Sequence, residues 1–139
     1  MPANTAPIFG LTPNLTHATL AAANTARDGS GTLVTLYTVG ANGGRVDRIT
    51  WTSAQATAAA NSAMVFRVFV TDNAGANPRL LREVAVTAVT ASNTAIGATQ
   101  VITFLGGLIL QTGQIIKVTQ SIYAGVQDQS HVFAEGIDY

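Results

Sequence analysis

Residues 62–86 read SAMVFRVFVTDNAGANPRLLREVAV, and the fold turns on how this stretch is taken. In an extended chain successive side chains point to opposite sides, so Met64, Phe66, Val68 and Val70 share one face and Val65, Arg67, Phe69 and Thr71 the other. Residues 64–70 are therefore apolar on both faces. The segment 71–78, TDNAGANP, then supplies turn chemistry: Asp and Asn bond their own backbone, Gly tolerates positive φ, and Pro cannot donate to a ladder. A second strand follows over 79–89, so the stretch predicts a hairpin. One face of its first strand fills the interior of a sandwich. The other, carrying Arg67 and Phe69, faces either a neighbouring subunit or loops of the same chain.

Strand-like segments recur on both sides of this hairpin. Residues 15–23 alternate, and residues 32–39, TLVTLYTV, are dense in β-branched and aromatic side chains. The Asn42-Gly43 pair that follows suits a tight hairpin turn. In 45–53, RVDRITWTS, the alternation puts Asp47, Ile49 and Trp51 on one face and Val46, Arg48, Thr50 and Thr52 on the other. Residues 54–61 and 91–98 are small-residue connections. Residues 99–105 form a further strand, with Gly106-Gly107 as a place to bend before Leu108, Ile109 and Leu110; 114–123 and 131–137 complete the set. About eight short strands separated by Gly and Asn clusters, with no strong amphipathic helix, predict an all-β, eight-stranded antiparallel sandwich of jelly-roll type. The amino-terminal 14 residues carry Pro2, Pro7 and Pro13 and are expected to form an extended arm, leaving 15–139 as the sandwich domain. Ile8, Phe9 and Leu11 cannot be buried by an extended arm alone, so they are expected to dock on this domain or on another copy.

Composition narrows the function classes. Of 139 residues 47% are hydrophobic and only 10% charged, where about 25% is usual. Seven basic residues balance seven acidic ones, too few Lys and Arg for a phosphate-backbone footprint, so nucleic acid is not an expected partner. Cysteine is absent, which excludes disulfides and thiolate chemistry. The apolar run 104–110 falls far short of the roughly 18 residues of a membrane span, and the amino terminus lacks the basic and apolar regions of a signal peptide. No membrane partner is expected.

No catalytic, cofactor or metal signature emerges. His17 and His131 are the only histidines and belong to no spaced ligand motif. The carboxylates Asp28, Asp47, Asp72, Glu83, Asp128, Glu135 and Asp138 fall mostly in loops or at strand ends, and no serine occupies a Gly-x-Ser-x-Gly elbow. Arg67 stands out as a charge on an apolar strand; Asp47 or Glu83 on neighbouring strands, a carboxylate of another copy, or water are its alternative partners. Trp51 and Tyr123 are the aromatic residues suited to stacking on a sugar, although Trp51 shares a face with Ile49 and reads as core.

Taken together, PIFGLTPNL (7–15), ANTARDGSGTLVTLYTVGANGGRVDRI (23–49), MVFRVFVTD (64–72), PRLLREVAV (78–86) and AEGIDY (134–139) resemble small virion structural proteins of tailed bacteriophages and prophages. The resemblance covers most of the chain and rests on architectural motifs. It implies a non-enzymatic capsid decoration or cement protein on the head exterior, assembled in the host cytoplasm. Its partners would be the major capsid protein, other virion proteins and copies of itself, for which a closed trimer is a suitable form. Ile8, Phe9, Leu11, Arg67, Phe69 and Tyr139 are the expected interface residues, with no cofactor. The alternative is a carbohydrate-binding or structural module of the neck, tail or fibre.

Overall fold

The computed structural model describes residues 10–56 and 58–139. Eight strands follow one another: β1 (Thr12–Leu20), β2 (Val34–Thr38), β3 (Gly44–Ser53), β4 (Met64–Val70), β5 (Arg79–Val86), β6 (Thr99–Leu110), β7 (Ile115–Gln120) and β8 (Ser130–Asp138). They form two four-stranded antiparallel sheets, ordered β1-β8-β3-β6 and β2-β7-β4-β5. This is the jelly-roll order, and it confirms the expected eight-stranded sandwich. Of the seven connections among these strands, six pass from one sheet to the other; the β4–β5 hairpin stays within its sheet.

That hairpin matches the reading of residues 62–86. Met64 pairs with Val86 and Val70 with Arg79, and the turn between them places Ala74, Gly75 and Asn77 at positive φ. Asp72 closes it: its backbone N–H donates to Ala76 O at 2.7 Å, and its carboxylate accepts from Asn77 Nδ2 at 2.9 Å and pairs with Arg79 at 3.1 Å. The Asn42-Gly43 corner behaves differently from the expected hairpin. β2 pairs with β7, not with β3, and the corner carries the chain across to the other sheet. It is a β-turn closed by Gly43 N–H donating to Gly40 O at 3.1 Å, with Gly43 but not Asn42 at positive φ, so the primed geometry of a two-residue hairpin is absent.

The core lies between the sheets. Leu20, Leu36, Tyr37, Val46, Ile49, Trp51, Phe66, Val68, Ile116, Val118 and Val132 are among its fully or nearly fully buried members. Strict alternation in β3 would put Val46 and Ile49 on opposite faces, yet both are buried. The reason is a bulge at Asp47, where the register of β3 slips against both β6 and β8; the extra residue returns Val46 to the interior and turns Asp47 outward to pair with Arg45 at 2.8 Å. Opposite Asp47, residues 104–107 loop out of β6, with Gly106 and Gly107 both at positive φ. The chain continues as strand through this bulge instead of breaking at the glycines.

The amino-terminal boundary also moves. Thr12, Pro13 and Asn14, expected in the arm, already belong to β1 and pair with Asp138, Ile137 and Gly136, and Pro13 is accommodated because β1 is an edge strand. Residues 21–23, expected to continue that strand, lie beyond its end. Ile8 and Phe9 lie outside the described residues.

Asp138 ties the end of this sheet together. It accepts from Asn14 Nδ2 at 2.8 Å, from Gly40 N–H at 3.4 Å and from the Tyr37 hydroxyl. Burial, reinforced by the hydrogen bond to Asp138, pushes the Tyr37 hydroxyl above the ordinary tyrosine value. A folded-state pKa above the unfolded one, near 10, gives stability that is complete below about pH 10 and declines as pH rises toward the folded value. Alkaline melting curves should therefore fall more steeply for the wild type than for Tyr37→Phe above about pH 10; parallel curves would remove Tyr37 from the titration.

Candidate interaction face

The outer face of the β1-β8-β3-β6 sheet carries an array of side chains that the interior does not use. Because the strands are in register, one row runs His17, Phe133, Thr50, Val101 across all four strands. The next runs Leu15, Glu135, Arg48, Thr103, and a third runs Pro13, Ile137, Arg45, Ile109. Of the large apolar side chains left exposed among the described residues, Leu11, Leu15, Val101, Leu105 and Ile109 belong to this sheet or enter it. Leu105 is 101% exposed because it caps the Gly106-Gly107 bulge, where none of the described residues lies against Gly106. Between the apolar edges sits the Arg48–Glu135 ion pair at 2.6 Å, itself open to solvent.

In the opposite sheet, Arg67 and Phe69 on the outer face of β4 are buried within the chain itself. Arg67, on the outer face of β4, has a side chain only 8% exposed; Nε donates to Glu83 at 2.8 Å and Nη1 to Asn24 O at 3.1 Å. Asn24 organises the loop that brings its carbonyl there, donating through Nδ2 to Ser30 O and Thr32 O and accepting from Ala26 N–H. The same loop sends Arg27 to Glu83 at 2.7 Å and lays Gly29 against Pro78. Hydrogen bonds from Arg27 and then Arg67 hold the Glu83 carboxyl below the usual carboxylate range. Phe69 is fully buried. Arg67 and Phe69, expected at a subunit seam, are thus buried within the chain: the 21–33 segment supplies the carbonyl that receives Arg67, a covering that strand alternation could not distinguish from a partner.

Of the other expected interface residues, Leu11 is exposed beside β1, its N–H donating to Asp138 O at 2.9 Å. Tyr139 donates its N–H to Gly43 O at 3.1 Å and lines a cavity of about 540 Å³ with Ile109, Leu110 and Thr112. Leu15, Val101, Leu105 and Ile109 were missed by sequence reasoning. In 99–105 alternation puts Val101 and Leu105 on one side and Ile102 and Phe104 on the other, so both sides carry apolar residues and nothing in the sequence marks which faces water.

Trp51 is fully buried and offers no stacking platform, while Tyr123 is partly exposed. His17 and His131 share the outer face on adjacent strands: the His17 ring sits 6.2 Å from that of Phe133, and His131 Nδ1 lies 3.2 Å from Thr19 Oγ1. Among the described residues no group of three or more His, Cys, Asp or Glu converges, and no helix is long and apolar enough to cross a membrane. Asp128 is buried but wholly engaged, accepting from Ser62 N–H, Ser62 Oγ and Ala124 N–H. Comparison with protein-family models, curated proteins and solved structures finds no match to the chain.

Proposed function

We propose that this chain is a non-enzymatic structural protein of a tailed-bacteriophage virion, a capsid decoration or cement protein that docks through the outer face of its β1-β8-β3-β6 sheet. The observation that carries the reading is the set of exposed apolar side chains on one sheet: Leu11, Leu15, Val101, Leu105 and Ile109. Single exposed leucines are ordinary, but five large apolar side chains along the two edges of one sheet support reading that sheet as an interaction surface. Each one buried in an interface contributes about 1.5–3 kcal/mol, and an interface of roughly 1,600 Å² in total suffices for stable docking when well packed. A low density of charge makes close approach of many copies inexpensive. The resemblance of the sequence to phage virion proteins supplies the setting, with the major capsid protein or another copy of this chain as the partner.

The test uses the double variant Leu15→Thr/Leu105→Asp, in which Thr suits a strand and sets no second carboxylate opposite Glu135. Both side chains are solvent-exposed in the isolated chain, so stability should change by no more than about 0.5 kcal/mol. Quantitative mass spectrometry of purified particles should find the wild type at a copy number matching the capsid lattice and the variant depleted. Equal occupancy would show that this face does not dock, and absence of the wild type from the particles would overturn the virion assignment.

A further inference from the structure

At the opposite end of β3 from the Asp138 cluster, a cleft of about 640 Å³ opens between Thr52, Ser53 and Gln55 on one side and the 91–97 loop on the other. Two oxygens beneath its floor have no hydrogen-bond partner among the described residues: Ser53 Oγ and Gln55 Oε1. The Gln55 side chain is not free to turn toward a partner, because its Nε2 donates to Val89 O at 2.7 Å and Ala59 O at 3.2 Å, which leaves Oε1 directed away from both. Gly97 lies directly over them, and only a residue without a side chain can pack this closely on Ser53 Oγ. A Cβ there would stand 2.5 Å from Ser53 Oγ and 3.6 Å from Gln55 Oε1.

A buried polar atom without a partner costs about 1–3 kcal/mol, so two together mark a place where a hydrogen-bonding group from outside is favoured. The lining restricts what that group is. It consists of hydroxyl, amide and small apolar side chains, with no charged residue in it, which disfavours phosphates, carboxylates and ammonium ions. Gln55 Oε1 requires a donor, and Ser53 Oγ takes either a donor or an acceptor. Adjacent hydroxyls of a sugar ring meet both requirements at once, and Ile96, 85% exposed at the rim, offers an apolar surface for the C–H face of the ring.

We infer that this cleft binds a neutral sugar, with Ser53 and Gln55 receiving vicinal hydroxyls beneath Gly97 and the 91–97 loop lifting to admit it. Ser92 and Ala95 hydrogen-bond to each other, at 2.9 and 3.3 Å, so residues 92–95 form a closed turn between anchors at Ala91, which bonds Ala58 and Ala59, and Ala98, which bonds Ser53. The site is separate from the apolar array, and its use does not depend on the docking reading.

The full chain, labelled with ¹⁵N, is titrated with methyl glucoside, galactose and N-acetylglucosamine, and screened in parallel on an array of neutral and acidic glycans. Amide shifts confined to Ser53, Gln55 and residues 91–97, with a Kd on the order of 1 mM for at least one neutral sugar, are expected. Ser53→Ala removes an unpaired hydroxyl, so its melting temperature should equal or exceed that of the wild type while its affinity falls about tenfold. Asn93→Ala, at the exposed rim, should weaken binding without touching the floor. The inference is overturned by the absence of localised shifts together with a blank array. It is likewise overturned by a Ser53→Ala affinity equal to wild type, or by acidic glycans binding as well as neutral ones.

Discussion

Phe66→Ala is expected to destabilise the protein by about 3–5 kcal/mol, because it removes a large side chain from the centre of the sandwich and the surrounding strands cannot close the gap. Phe66 is 1% exposed and lies on β4 between Val84 of β5 and Gln120 of β7, so its neighbours on both sides are held by ladder hydrogen bonds. β4 is an inner strand and cannot shift toward the void without breaking pairing. For a chain of this size the loss corresponds to a melting temperature lower by roughly 10 °C or more, read by calorimetry. A melting temperature within a degree or two of wild type would mean that Phe66 is not in the core.

Asp128→Ala should cost a similar amount for a different reason. The Asp128 carboxylate is 1% exposed and receives Ser62 N–H at 2.6 Å, Ser62 Oγ at 3.0 Å and Ala124 N–H at 2.7 Å. It thereby fastens the β7–β8 connection to the segment entering β4. Its own backbone carbonyl accepts from the buried Gln120 side chain at 2.7 Å, and Gln120 in turn accepts from Ser130 Oγ at 2.6 Å. Truncation leaves two backbone donors without partners and a loop without its anchor, about 3–5 kcal/mol in total. Asp128→Asn keeps the shape but can accept at only one of its two positions, so it should fall between alanine and wild type. Chemical denaturation of the three proteins gives the order; an asparagine variant no better than alanine would mean that charge, not acceptor geometry, holds the loop.

The hairpin of β4 and β5 was legible because everything that specifies it is local: alternating apolar residues, a run of turn formers, and two strands adjacent in sequence that pair with each other. The β2–β3 corner looked equally local, with its Asn-Gly pair, and yet joins strands of different sheets. A turn signal shows where the chain reverses, not which strand lies beside it afterwards. Asp47 illustrates a second limit. Its bulge shifts Val46 to the inner face, and since one extra residue inverts the alternation, the period-two pattern of β3 misassigned a core valine.

The candidate interaction face was legible only in part. Leu11 was singled out because an extended proline-containing segment cannot bury its own apolar residues. Val101, Leu105 and Ile109 were not, because which side of β6 is covered depends on what packs against it. Arg67 shows the same dependence in the other direction: its partner Glu83 was one of several carboxylates within reach along the chain, and the carbonyl of Asn24 that completes its binding lies 43 residues away.

Strand count, all-β class, the central hairpin and the poverty of charge are properties of short windows and of composition, and they follow from the residues alone. Sheet order, the covering of Arg67 and Phe69, the exposure of Leu105 and the cleft below Gly97 arise from contacts between distant segments. Six of the seven connections exchange sheets, so nearly every strand finds its neighbours far along the chain, and no local pattern encodes that choice.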